Sequence, residues 1–169
     1  MKRLSRQRRA AEPAGTGFRL EDFLPYRLSV ASNRVSRLFA RRYSEAFGIS
    51  IPEWRVIAVV GRFGTLSPSA VGEATAMDKV KVSRAAAGLV ARGLLRQAPD
   101  PHDGRGRLLS LTRKGVAVHQ GVVPLARELA ASLSRGFSRT EWAALQQALL
   151  RLNAHVLEIG GPDTNGGID

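Results

Sequence analysis

The chain has 169 residues, 44% hydrophobic and 6% aromatic, with no cysteine; this is about one domain's worth of chain with a mainly aliphatic core, and it excludes disulfides, thiolate metal sites and cysteine redox sensing. The formal net charge is +12, a large excess for this size that suggests a polyanionic partner. The charge is concentrated: residues 1–20 carry six basic residues and one acid, and residues 79–114 carry nine and two, whereas residues 160–169 hold two acids.

The start, MKRLSRQRRAAEPAGTG, is basic but has no apolar segment after it, so a secretory signal is not expected. No apolar run is long enough to span a membrane. Residues 1–20 read as a disordered basic arm, and a cytoplasmic protein is expected. From Glu21 to Gly48 the apolar residues Leu24, Leu28, Ala31, Val35, Leu38, Phe39, Tyr43 and Phe47 fall three or four apart, which predicts an amphipathic helix with arginines mostly between them. Gly48 ends it.

SIPE, 50–53, is a capping box: the Ser50 hydroxyl can accept from the Glu53 backbone, and the Glu53 carboxylate can reach back. Pro52 sits in the first turn, where its missing N–H costs little. The second helix then places Trp54, Ile57 and Val60 inward and stops near Gly61–Gly64. A short third helix starts at the Ser67 cap and Pro68, with Leu66, Val71 and Ala74 inward. After a break at Thr75–Asp78, Asp78 caps a fourth helix. Val82, Ala86 and Leu89 form its buried stripe, and Gly93 is its left-handed cap. Lys79, Lys81, Ser83 and Arg84 fall on its early, exposed face, with Val80.

Short strands are expected at Leu95–Ala98 and Arg107–Leu111, with a charged loop between them. Two strands alone are marginal, so the pair must pack on the helices. Thr112 caps a fifth helix running to about Arg135, with a kink expected at Pro124. SRTE, 138–141, is a second capping box. The last helix carries Trp142, Leu145, Leu149, Leu152, Val156 and Ile159 at alternating steps of three and four, a heptad seam that favours a partner helix over packing on the chain's own core. The end, 160–169, reads as a disordered tail.

Three helices and a hairpin, framed by long helices, make the fold class mainly α with a small β-hairpin wing. It is a winged helix-turn-helix core flanked by long N- and C-terminal dimerisation helices. A short helix, a tight break and a helix with a basic early face are the parts that place a helix in the major groove. Small residues at Ala70, Ala74, Ala85 and Ala86 permit close approach of the two helices. The expected organisation is an arm (1–20), an N-terminal dimerisation helix (21–48), the DNA-binding core (49–113), C-terminal dimerisation helices (114–159) and a tail (160–169).

LSPSAVGEATAMDKVKVSRAAAGLVARGLL followed by DPHDGRGRLLSLTRKG resembles the MarR family of bacterial transcription regulators. The resemblance spans roughly residues 21–159. Its most specific pieces are VSR in the fourth helix, the GLL after it, Asp103–Gly104–Arg105 in the wing and LSLTRKG. It implies a homodimer built from the first and last helices, with Leu24, Leu28, Trp142, Leu145, Leu149, Leu152 and Val156 at the interface. It also implies a pseudo-palindromic double-stranded operator. By the family pattern, Arg105 enters the minor groove and Asp103 steadies it. A guanidinium is drawn by the negative potential of a narrow A·T-rich groove.

The DNA contacts expected are Ser67, Ser69, Lys79, Val80, Lys81, Ser83, Arg84, Asp103, Arg105 and Arg107. Arg84 can be bidentate to guanine. Lys79, Lys81 and Ser83 can meet bases or phosphates, Val80 a thymine methyl, and Ser67 and Ser69 a phosphate at a helix N-terminus. Some of these residues can equally be solvated, and Val80 can pack. The resemblance suggests a small aromatic or anionic effector, with Tyr43, Phe47 and Trp54 as candidate lining or as core.

Rival readings of the wing are a metal site at Asp100, His102 and Asp103, a phosphate cradle, or a plain solvated hairpin. No second cluster completes a metal shell, and a strand rather than a helix follows the glycines. His119 and His155 are lone histidines on helices, more often packed or solvated than ligating. There is no G-x-S-x-G, H-E-x-x-H or Walker loop, so no enzyme, metal or cofactor is expected. The leading reading is a ligand-responsive repressor. The alternatives are a sequence-indifferent architectural DNA-binding protein and a winged helix used only to bind protein.

Overall fold

The computed structural model describes residues 17–160. The expected arm up to residue 16, and the tail from 161, lie outside the described residues. The chain divides between Ser36 and Arg37 into two units, each taken by itself below.

The first unit opens with a single 3-10 turn, Leu20–Asp22, so the helix expected from Glu21 starts three residues later. An ionic knot organises this entry. Arg27 reaches back to donate to the Glu21 carbonyl at 2.5 Å and to Asp22 at 2.8 Å, and Arg19 pairs with Glu21 at 2.8 Å. Phe18 meets Phe23 edge to face at 5.6 Å. Helix α1 follows, Leu24–Phe47, and its first half belongs to this unit.

In the second unit, α1 ends at Gly48, whose φ of +61° is the left-handed conformation that stops a helix. The expected capping box opens α2, Ile51–Phe63: Ser50 N–H donates to Glu53 at 2.8 Å, and Glu53 N–H donates to the Ser50 hydroxyl at 3.4 Å. Helices α3 (Pro68–Thr75) and α4 (Lys79–Ala91) carry the expected Ser67 and Asp78 caps. Two bonds close α4. Leu94 N–H donates to the Leu89 carbonyl and Gly93 N–H to that of Val90, both at 2.9 Å, with Gly93 left-handed. This is the Schellman arrangement.

Strands β1 (Leu95–Asp100) and β2 (Asp103–Leu111) pair antiparallel. They run further than expected, and the stretch read as loop is mostly paired. The turn shrinks to Pro101 and His102 because Asp100 accepts from the His102 N–H at 2.9 Å, which mimics a backbone turn. The register then breaks: Asp100 faces Asp103 while Pro99 faces Arg107. Residues 104–106 are thus a bulge on β2, opposite a proline that has no N–H to donate.

Thr112 caps α5, Arg113–Ser134, which is continuous through Pro124. The second capping box opens α6, Arg139–Gly160, with Ser138 and Glu141 bonded reciprocally at 2.8 and 3.2 Å. Phe137 packs on Trp142 across that cap at 5.5 Å, a hydrophobic staple. The helix outlasts the expected end by one residue.

The core gathers Tyr43 from α1 and Val56, Ile57 and Val60 from α2. It adds Val71 from α3, Val82, Ala85, Ala86 and Leu89 from α4, Leu95 and Leu109 from the strands, and Val122 and Leu129 from α5. The expected inward face of α3 needs one correction. Ala74 is exposed. The close contact falls instead at Gly72, where a Cβ would stand 3.1 Å from the Met77 carbonyl oxygen. The chain leaving α3 folds back over that bare Cα. Ala76, left-handed at φ +51°, makes the reversal. Among the described residues no helix is long and apolar enough to cross a membrane.

Candidate nucleic-acid interface

The helix-turn-helix presents α4 by burying one side of it. Val82, Ala85, Ala86 and Leu89 are in the core, and on a 3.6-residue period that leaves Lys79, Val80, Lys81, Ser83 and Arg84 on the outer side. All five are exposed, Val80 to 57%. Asp78 accepts from the Lys81 N–H at 2.7 Å and pairs with its ammonium at 2.8 Å. Those bonds from Lys81 hold the Asp78 carboxyl below its ordinary value. Lys81 therefore shares its charge with the cap. Lys79 and Arg84 have no ion-pair partner among the described residues. A shallow cavity of about 310 Å³ lies beside them, lined by Lys81, Arg84, Ala85 and the N-terminal turn of α2.

Ser69 is exposed at the start of α3, and Ser67 is half-buried. The Ser67 hydroxyl accepts from Ala70 N–H at 3.2 Å, so one lone pair is committed to the cap and its proton stays available to an acceptor. The wing is tied to the same spot. Leu66 and Leu109 exchange both backbone bonds, at 3.0 and 2.8 Å, and the Leu109 side chain is fully buried. The hairpin thus extends directly from the residue before the α3 cap.

At the wing tip, Asp100 and Asp103 fold over Gly106. A Cβ there would stand 2.9 Å from the Asp100 Cβ and 3.1 Å from an Asp103 carboxylate oxygen, so glycine is required by close approach. Asp103 and Arg107 are exposed. Arg105 lies in the bulge by its backbone, and its side chain is outside the described residues. Sequence reasoning passed over Arg96. It is exposed on β1, and its Nε donates at 2.7 Å to Ser110, its partner directly across the strand pair. Only the basic bias of residues 79–114 pointed to it.

Of the three expected effector residues, Tyr43 and Trp54 come together, while Phe47 packs on another part of the core. Tyr43 is 1% exposed, its ring 5.4 Å from Trp54 and 5.8 Å from Phe39. Among the described residues its hydroxyl has no hydrogen-bond partner, and burial raises its pKa. Trp54 stacks on His119 of α5 at 6.4 Å. Phe47 is half-buried against Gly121, where a Cβ would stand 2.8 Å from the Phe47 ring. His119 lies on the bare Cα of Gly61. Sequence reasoning did not place Phe39 or His119 in this cluster, because both arrive through packing of separate helices.

Of the expected dimer residues, Leu24 (58% exposed), Leu145, Leu149 and Val156 are exposed, while Leu28, Trp142 and Leu152 are half-buried. No residue of α6 is buried.

Four similarities to known proteins bear on these features. The family model described as MarR family matches residues 47–106, from the end of α1 to the wing bulge. The HTH-type transcriptional repressor IacR of Pseudomonas putida is 25% identical over 147 residues, 87% of each chain. A probable transcriptional regulator from Pseudomonas aeruginosa is 31% identical, with a TM-score of 0.71 over 79% of this chain and 99% of that one. BpsR of Bordetella bronchiseptica, whose DNA binding is regulated by 6-hydroxynicotinic acid, is 26% identical, with a TM-score of 0.74 over 80% of this chain and 96% of its own. With a winged helix-turn-helix framed by long helices and these relatives across most of its length, the chain belongs to the MarR family of transcriptional regulators.

Proposed function

We propose that the protein is a homodimeric repressor that binds a pseudo-palindromic operator and is released by a small aromatic or anionic effector. The observation that carries the DNA reading is the outer side of α4. There, two cations without ion-pair partners among the described residues, a third shared with a cap, a hydroxyl and one exposed valine stand on a helix whose other side is core. That mixture suits base edges, phosphates and a thymine methyl together. In a dimer two such helices reach successive major grooves, about 34–36 Å apart, with a wing beside each. The exposed seam of α6, with Leu24 and Leu28 of α1, supports the dimer.

The effector reading rests on the Tyr43 hydroxyl. An unsatisfied buried polar group costs roughly 1–3 kcal/mol, and aromatic rings pack around Tyr43, so a planar ligand bearing an acceptor would satisfy it if admitted by a shift of the helices. The acid named for the Bordetella protein is of this class and is the first probe.

Selection from a random duplex pool at physiological salt tests the DNA reading. An inverted repeat with half-sites one turn apart is expected. Enrichment without a motif refutes it in favour of an architectural protein, and no enrichment leaves a protein-interaction module. On the recovered operator, Arg105→Ala is expected to weaken binding by roughly 1–3 kcal/mol. For the effector, 6-hydroxynicotinic acid is expected to release the operator, and Tyr43→Phe to blunt that release without loss of stability. Release unaffected by Tyr43→Phe sinks the assignment.

A further inference from the structure

In the stretch LSLTRKG the fold accounts for most residues. Leu109 and Leu111 pack in or on the core, Thr112 caps α5, and a Cβ at Gly115 would overlap the Leu94 carbonyl oxygen. Lys114 is left over. It stands in the first turn of α5, which contains no acid. A cation therefore sits at the positive end of a helix, where an anion is favoured. Its ammonium donates at 3.3 Å to the Arg92 carbonyl and has no ion-pair partner among the described residues.

That bond brings Lys114 to the end of α4, and both Lys114 and Arg92 line an open cavity of about 360 Å³. Its other walls are Phe47, Gly48, Leu94 and Val118, with no carboxylate among them. Leu94 is buried, and Phe47 and Val118 are half-buried, so the apolar surface is held by the core. Phe47, expected among the effector residues, lines this cavity instead of joining Tyr43. The Arg92 Nη1 donates at 2.6 Å to the Gly48 carbonyl and lies 3.6 Å from Glu53. Glu53 is already committed to the α2 cap, accepting from Ser50 N–H at 2.8 Å. The Arg92 Nε and Nη2 donate to nothing among the described residues.

These walls select more than charge. An inorganic anion uses the two cations and leaves the apolar walls idle, while an uncharged apolar molecule does the reverse. An acid with a compact apolar body uses both: its two oxygens accept from Arg92 and Lys114, and its body covers Phe47, Leu94 and Val118. A cavity near the small end of the usual range for ligand pockets suits a single ring or a short chain. We propose that this cavity binds a small organic monocarboxylate, a site separate from the Tyr43 cluster. The ligand would join the end of α1, the end of α4 and the start of α5. The proposal does not depend on the effector reading above.

The test uses the full chain, native and carrying Lys114→Gln, Lys114→Glu, Lys114→Arg or Tyr43→Phe. Lys114 is exposed, and a urea midpoint checks that each variant is folded. Benzoate, benzyl alcohol and inorganic phosphate are titrated calorimetrically into each at low ionic strength. Benzoate is expected to saturate the native chain. Lys114→Gln should weaken it at least about tenfold, the loss of one charge-assisted hydrogen bond. Lys114→Glu should abolish binding, and Lys114→Arg and Tyr43→Phe should leave it near native. Benzyl alcohol and phosphate should each bind the native chain at least about tenfold more weakly than benzoate. No saturation by benzoate, or equal affinity in the native chain and Lys114→Glu, overturns the proposal. Phosphate binding as tightly as benzoate overturns the organic ligand. Binding lost in Tyr43→Phe but kept in Lys114→Gln puts benzoate at the aromatic cluster and overturns this site. Failure of 6-hydroxynicotinic acid to release the operator bears on the Tyr43 reading alone.

Discussion

Gly115 stands where the wing hands the chain to α5, and replacing it by alanine sets two effects against each other. A glycine-to-alanine change inside a helix ordinarily gains about 1 kcal/mol. Here the added methyl would overlap the Leu94 carbonyl oxygen and lie 3.0 Å from its carbon and 3.2 Å from the Leu111 side chain. The nearest obstacle is backbone, so no rotamer change relieves it. That same carbonyl accepts from Thr112 N–H at 3.1 Å, and the Thr112 hydroxyl accepts from Gly115 N–H at 3.0 Å. Moving the carbonyl away disrupts the junction and the α5 cap together. Overpacking of this kind costs roughly 1–3 kcal/mol or more, which exceeds the propensity gain. Gly115→Ala is therefore expected to lose about 1–2 kcal/mol in urea unfolding and to weaken operator binding through a displaced wing base. A midpoint equal to or above the native one would refute the reasoning.

Ala76 sits exposed in a left-handed conformation that costs an L-residue roughly 1–2 kcal/mol. Ala76→Gly is expected to raise stability by about 0.5–1 kcal/mol net of the entropy glycine adds to the unfolded chain; a drop in thermal midpoint would contradict the conformation. Leu149→Glu with Leu152→Glu is expected to yield monomers by sedimentation, and a folded dimer would remove the seam from the interface. Hydrogen bonds to the caps hold the Asp78 and Glu141 carboxyls below their unfolded values of 3.8 and 4.5. Their stabilisation is complete above those values and is lost below them, as pH falls through the lowered folded ones. Asp78→Asn with Glu141→Gln should flatten the fall in urea midpoint between pH 6 and pH 3; an unchanged slope would argue against the caps.

What the sequence disclosed was what local chemistry decides. Ser50–Glu53 and Ser138–Glu141 are legible because a capping box is closed within four residues. Val82, Ala86 and Leu89 are legible because a periodic stripe needs no knowledge of its neighbour. Gly61, Gly72, Gly115 and Gly121 were not, since each is glycine on account of a group that arrives from elsewhere: an imidazole, a returning carbonyl, a strand end, a phenyl ring. Ala74 was misjudged for the same reason, because small size permits contact without saying which side is contacted. The wing was half legible. Its glycines suggested a loop, but a bulge lets β2 keep pairing around three extra residues. His119 was set aside as a lone histidine, and only the crossing of α5 over α2 reveals the ring it stacks on.

The pair of backbone bonds between Leu66 and Leu109 has a mechanical consequence. It fastens the hairpin to the residue before the α3 cap, while the bond from Met77 N–H to the Gly72 carbonyl fastens α3 to the approach of α4. Helix α4 and the wing are thereby both tied to α3 through backbone bonds, and on the proposed reading they approach DNA as one unit. On the proposed reading, an effector at the aromatic cluster would have to break this bridge to move one against the other. In the proposed dimer, an effector would then act by shifting how far apart two such units stand. Responsiveness should therefore be sensitive to the number of base pairs between half-sites and nearly blind to the bases within them.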